Sequence, residues 1–159
     1  MTQDITQTAD LSEKSADPRS AARLAAVQAL FQLSKSPTPV DRVIDEFCTH
    51  RLGEAIDDRS IVNADQALFR SVVEGAAKES RTLDQRIAKA LAKGWRIDRI
   101  DPTLLAILRA GAYEISGTET PRAVIIDEYL DIAAAFFDDG ERKFVNAVLD
   151  KLADENNPS

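Results

Sequence analysis

Cysteine, histidine and glycine are scarce in this 159-residue chain, and each scarcity removes a class of chemistry. Cys48 is the only cysteine, so no internal disulfide forms, and beside Phe47 on an apolar helix side it reads as a plain thiol. His50 is the only histidine, which leaves no ligand set for zinc, and a Cys-His pair two residues apart on one helix has poor geometry for nucleophilic catalysis. Six glycines and six prolines are too few for a turn-rich sheet protein. No apolar run approaches the ~18 residues that argue for a membrane span. Residues 1 to 17 lack the basic flank and apolar centre of a secretory signal, so a cytoplasmic protein is expected. Phosphate loops, dinucleotide fingerprints, zinc-protease helices and Gly-x-Ser-x-Gly turns are all missing. Carboxylate pairs at Asp57-Asp58, Asp127 with Asp131 and Asp138-Asp139 read as turn formers or solvated faces. The expectation is a protein with no catalytic residues, no cofactor and no metal.

What is present points to helices. Hydrophobic residues make up 44% of the chain and charged ones 30%, with a formal net charge of −7 that argues against indiscriminate coating of nucleic acid. The charge is uneven: seven cations (Lys78, Arg81, Arg86, Lys89, Lys93, Arg96, Arg99) face three anions (Glu79, Asp84, Asp98) between 78 and 99. Arg86, Lys89 and Lys93 share one helix face there, which reads as solvated. Residues 1–17 are rich in Thr, Gln, Ser and Asp and read as a disordered tail, followed by a single domain over 18–155.

Start signals recur along that domain. Asp17-Pro18, Thr38-Pro39, Asp101-Pro102 and Thr120-Pro121 each place a capping residue before a proline, which suits the first helical position because its missing N–H is not needed there. Asn63 with Gln66, and Thr82 with Gln85, have the spacing of a reciprocal capping box. The second helix is expected to run to Gly53 and the fourth to stop near Gly94-Trp95. The helix after Asp101 is apolar on nearly every side and belongs at the centre. A last helix carries Phe144, Val145, Val148, Leu149 and Leu152 inward, with Lys143, Asn146 and Asp150 on the opposite side. The total is an all-α bundle of about seven helices. Apolar residues spread around the first and fifth helices are compatible with a monomer or a homodimer.

Arg19 and Arg23 lie one turn apart near a helix N-terminus, where the helix dipole favours phosphate; as types they also fit a solvated pair. Arg142, Lys143 and Asn146 cluster at another N-terminus, and a fold that joins the two ends would make one concave cationic site.

Several blocks occur together in order: Ala22-Arg23 with Ala26-Val27-Gln28-Ala29-Leu30-Phe31; Leu108-Arg109 through Tyr113-Glu114-Ile115; Val124-Ile125-Ile126-Asp127-Glu128; and Lys143-Phe144-Val145-Asn146 through Val148-Leu149-Asp150. Spanning Arg19 to Ala153, they resemble the NusB family of bacterial transcription antitermination factors. The resemblance implies a compact protein of two small helical sub-bundles. It further implies binding of boxA, a short single-stranded RNA element of nascent ribosomal RNA transcripts, as a heterodimer with the ribosomal protein NusE, within an elongation complex containing other Nus factors.

By position, the family's arginine-rich start corresponds to Arg19 and Arg23, its aromatic to Phe31, and its second RNA-contacting patch to Arg142, Lys143 and Phe144. Phe31 and Phe144 equally fit the apolar stripes of their helices. Ser20 and Ala21 interrupt the arginine cluster, and Ala147 stands where the family commonly has glycine. Two other readings remain: an interaction scaffold with little RNA binding of its own, and an RNA-recognition module related to the one preceding RNA cytosine methyltransferases. At 159 residues no room is expected for a methyl-donor domain.

Overall fold

The computed structural model describes residues 17–52 and 64–156; the tail reading for 1–16 and the capping role expected of Asn63 lie outside them. Among the described residues every regular element is helical. Helix α1 is Pro18–Lys35, α2 Val40–Phe47, α3 Gln66–Lys78, α4 Ser80–Ala90, α5 Pro102–Gly117, α6 Arg122–Phe136 and α7 Asp139–Asn156, which matches the expected seven.

The caps explain where the helices start. Asp17 accepts from the Arg19 N–H at 2.9 Å and Asp101 from the Thr103 and Leu104 N–H groups at 2.8 and 3.2 Å, each with proline next in sequence. At α2 and α6 the proline sits one position earlier than expected. Pro39 and Pro121 are themselves the capping residues, and their carbonyls accept from residues three and four further on. Helix α3 is capped by Asp65, whose carboxylate accepts from the Leu68 N–H at 2.9 Å. The expected box at Thr82 and Gln85 is not a helix start. Both residues lie inside α4, which follows α3 after the single residue Glu79, because the Glu79 carbonyl already accepts from the Leu83 N–H.

Two further departures have packing causes. Helix α2 stops after two turns and continues as a π-helix over Cys48–Leu52. The wider turn brings residues five apart toward one face, so Phe47 and Leu52 both reach the core. Helix α4 ends at Ala90, earlier than expected, and Ile97–Arg99 form a short 3₁₀ turn before α5.

Helix α5 occupies the centre that its apolar sequence predicts, packing against α1, α3, α4, α6 and α7. Helices α1, α2 and α3 form one small bundle and α4, α6 and α7 the other, joined through α5. The α3–α5 crossing is close because Gly75 has no side chain: a Cβ there would come within 2.2 Å of the Tyr113 ring. Gly117 lies under the same ring, with a Cβ distance of 2.8 Å.

Helix directions position the candidate site. The connection Phe137-Asp138 turns α7 back along α6, so Arg122 at the start of α6 reaches Asp150 and Asp154 near the end of α7. Helix α1 runs parallel to α6: Ser20 and Arg23 meet Glu128, and one helical stretch later Phe31 shares a groove with Phe136.

Candidate nucleic-acid interface

Arg23, expected at the surface, is instead one of the most buried side chains, with 2% of its area exposed. Its Nε and Nη2 donate to the two carboxylate oxygens of Glu114 at 2.7 and 3.0 Å, a bidentate pair, and its Nη1 donates to Glu128 at 3.1 Å. Glu114 has no exposed surface and accepts a further hydrogen bond from the Tyr129 hydroxyl at 2.6 Å, while Ser20 donates to Glu128. Burial opposes the guanidinium charge, but the hydrogen bond and charge of Glu114 outweigh it, and the arginine is held cationic more firmly than usual. Burial and the neighbouring Glu114 carboxylate push the Tyr129 phenol well above its ordinary value. These five residues tie α1, α5 and α6 together. All three nitrogens of the Arg23 fork donate to carboxylates, so its place is that of an internal clamp.

Arg19 remains exposed, at the rim of a depression of about 510 Å³ between the starts of α1 and α6. Asp17, Glu119 and Glu128 also line it, so the depression is not a cationic pocket.

At the other end of α1 and α6 the lining changes character. A groove of about 480 Å³ is formed by Val27, Gln28, Phe31, Gln32, Lys35 and Ser36 of α1 and its end, with Arg51, Thr103 and Phe136 opposite. Among the described residues it holds two aromatic rings, two amides and two cations, and no carboxylate. Phe31 is half-buried with the Lys35 ammonium 5.5 Å from its ring centre, and Phe136 is 44% exposed. Gln28, Gln32, Lys35, Arg51 and Phe136 were not singled out from the sequence. The spacing of Gln28, Phe31, Gln32 and Lys35 on one face of α1 carried that signal. Nothing in the sequence distinguishes the exposed Phe136 from Phe137, which packs on the core.

Arg142, Lys143 and Asn146 are exposed at the start of α7, two residues beyond the end of α6. Phe144 is half-buried against the core and against Trp95, with ring centres 5.1 Å apart. The expectation of one shared concavity for both clusters fails for a geometric reason. Arg19 lies beside the start of α6 and Lys143 follows its end, and a helix of 15 residues separates them by roughly 22 Å. Phe31, Phe136 and the start of α7 gather at one end; Arg19 marks the other.

Comparison with known proteins fits this architecture. The NusB family model matches residues 20–154. The transcription antitermination protein NusB of Rhizobium johnstonii is 50% identical over 141 residues, covering 88% of each chain, and that of Agrobacterium fabrum 46% identical over 143 residues, covering 89% of this chain and 87% of the relative. Among solved structures, T. maritima NusB superposes with a TM-score of 0.72 at 27% identity, covering 89% of this chain and 94% of that one. A complex of antitermination factors NusB and NusE with dsRNA contains a chain that superposes at 0.70 and 20% identity, covering 86% and 96%, a likeness of fold. With a family model spanning nearly all of the helical domain and half of the aligned positions identical in a relative, the chain belongs to the NusB family of non-enzymatic transcription antitermination factors.

Proposed function

We propose that this protein binds an unpaired strand of boxA-type RNA in nascent ribosomal RNA transcripts, along the α1–α6 face, as a heterodimer with NusE. The observation that carries the reading is the groove of Phe31 and Phe136 with Gln28, Gln32, Lys35 and Arg51, which among the described residues combines rings, amides and cations without a carboxylate. Such a lining suits bases splayed out of a strand: rings stack on the base, amides reach its edge, and cations neutralise the phosphates. A duplex keeps its bases stacked and presents shape and phosphate instead, which gives half-exposed rings nothing to hold. Arg142, Lys143 and Asn146 continue the path at the start of α7, and Arg19 contributes charge at the far end. The protein then acts in the cytoplasm, within an elongation complex that includes other Nus factors.

Burial of Arg23, with Ser20 and Ala21 beside it, leaves few free cations at the start of α1, so NusE is expected to supply part of the affinity. A titration of the chain with NusE against labelled single-stranded boxA, its duplex and a scrambled strand tests the proposal. Tighter binding of single-stranded boxA than of both controls is expected. Equal affinity for all three, or no change in RNA affinity on adding this chain to NusE, leaves the scaffold reading in its place.

A further inference from the structure

Trp95 is the only tryptophan of the chain and is 55% exposed, whereas the large rings of Phe47, Phe69 and Tyr129 are wholly buried. Its position is fixed by the backbone and by a neighbour. Gly94 adopts φ 93°, a left-handed conformation that side chains disfavour, and the Trp95 N–H donates to the Ala92 carbonyl at 3.0 Å to close the turn after α4. One side of the indole then rests on Phe144, with ring centres 5.1 Å apart and planes inclined by 35°. Phe144 itself is anchored on the core. A large ring is thus backed on one side by a core-anchored ring, with much of its surface turned to solvent.

The charges near it in sequence and at the start of α7 do not select phosphate. Over 93–101 and 138–143, the cations Lys93, Arg96, Arg99, Arg142 and Lys143 equal in number the anions Asp98, Asp101, Asp138, Asp139 and Glu141. Arg96 is paired with Asp98, and Asp101 caps α5. What distinguishes this patch is the flat ring. We infer that Trp95, backed by Phe144, is a stacking platform for one unpaired base, a subsite beyond the Phe31–Phe136 groove on the same strand. The inference rests on the RNA reading above and adds a residue and a mode of contact to it.

Because Trp95 is the only indole in the chain, its emission reports directly on the site. The complex with NusE is titrated with single-stranded boxA RNA, following labelled-RNA anisotropy for affinity and tryptophan emission for the site, with the Trp95→Phe complex as the emission blank. Saturable quenching that tracks the anisotropy is expected. Trp95→Ala weakens affinity about 5- to 150-fold while leaving the salt slope unchanged, since a base and no phosphate contact is lost, and Trp95→Tyr restores most of the affinity. RNA binding with unaltered emission and unaltered Trp95→Ala affinity overturns the platform and leaves the RNA reading standing. Quenching by NusE alone, with no further change on adding RNA, overturns it in favour of a protein contact. Failure of the wild-type complex to bind RNA removes the RNA reading and this subsite together.

Discussion

The guanidinium of Arg23 on α1 and the carboxylate of Glu114 on α5 form a bidentate ion pair inside the protein, 91 residues apart in sequence and both shut off from solvent. Tyr129 and Glu128 of α6 complete its hydrogen bonding, so one polar cluster registers three helices against each other. A hydrophobic replacement of the whole cluster would not by itself be less stable, because taking both charges from water costs about as much as their attraction returns. Removing one partner is a different matter.

Arg23→Ala leaves Glu114 buried and uncompensated, and is expected to destabilise the protein by about 3–5 kcal/mol. Urea unfolding followed by circular dichroism measures the loss. A change within 0.5 kcal/mol, about the scatter of ordinary surface substitutions, would instead mean that Arg23 is an exposed residue.

Tyr129 makes stability fall with alkaline pH. In the unfolded chain its phenol ionises near pH 10, and in the folded chain only well above that, because burial and Glu114 oppose the anion. Between the two values the folded state keeps a proton that the unfolded state has released, so the contribution is complete below about pH 10 and is lost as pH rises through the window, by up to about 1.4 kcal/mol per pH unit. Tyr129→Phe should flatten this limb when unfolding free energies are compared between pH 9 and 11. An identical slope in both proteins contradicts the assignment.

Gly75→Ala places a methyl group within 2.2 Å of the half-buried Tyr113 ring, which also packs over Gly117 of its own helix, so the ring must shift from that packing to make room. Overpacking of this kind costs about 1–3 kcal/mol. The double change Gly75→Ala with Tyr113→Leu should recover part of the loss in thermal unfolding, and a fully additive pair would refute the proposed clash.

Lys35 and Arg51 flank the groove from α1 and from the π-helical turn. Replacing both by alanine should lower the slope of log affinity against log salt for single-stranded RNA by about 1.4, near 0.7 for each phosphate released. Phe31→Ala or Phe136→Ala should lower the affinity with the slope retained. A slope that ignores the cations, measured over a salt series, places the strand elsewhere.

Composition and periodicity were enough for the all-helical class and for the central place of α5, because a helix apolar on every side has nowhere else to go. Proline and aspartate marked most helix starts, with a shift of one residue at Pro39 and Pro121, whereas the start expected at Thr82 lies three residues past the cap Glu79 because α4 follows directly on α3. The π-helical turn after Phe47 was not legible, since it arises when Leu52 is drawn to the core the other helices have built.

Which residues prefer helix, which faces are apolar and which side chains carry charge or a ring all follow from local spacing and side-chain chemistry. Tertiary structure decided their roles. Arg19 and Arg23 are identical in kind and one turn apart, yet one meets solvent and the other meets Glu114, because only the packing of α1 against α5 and α6 sets which side of that turn faces inward. The same packing runs α1 parallel to α6, which gathers Phe31, Phe136 and the start of α7 at one end and leaves Arg19 at the other.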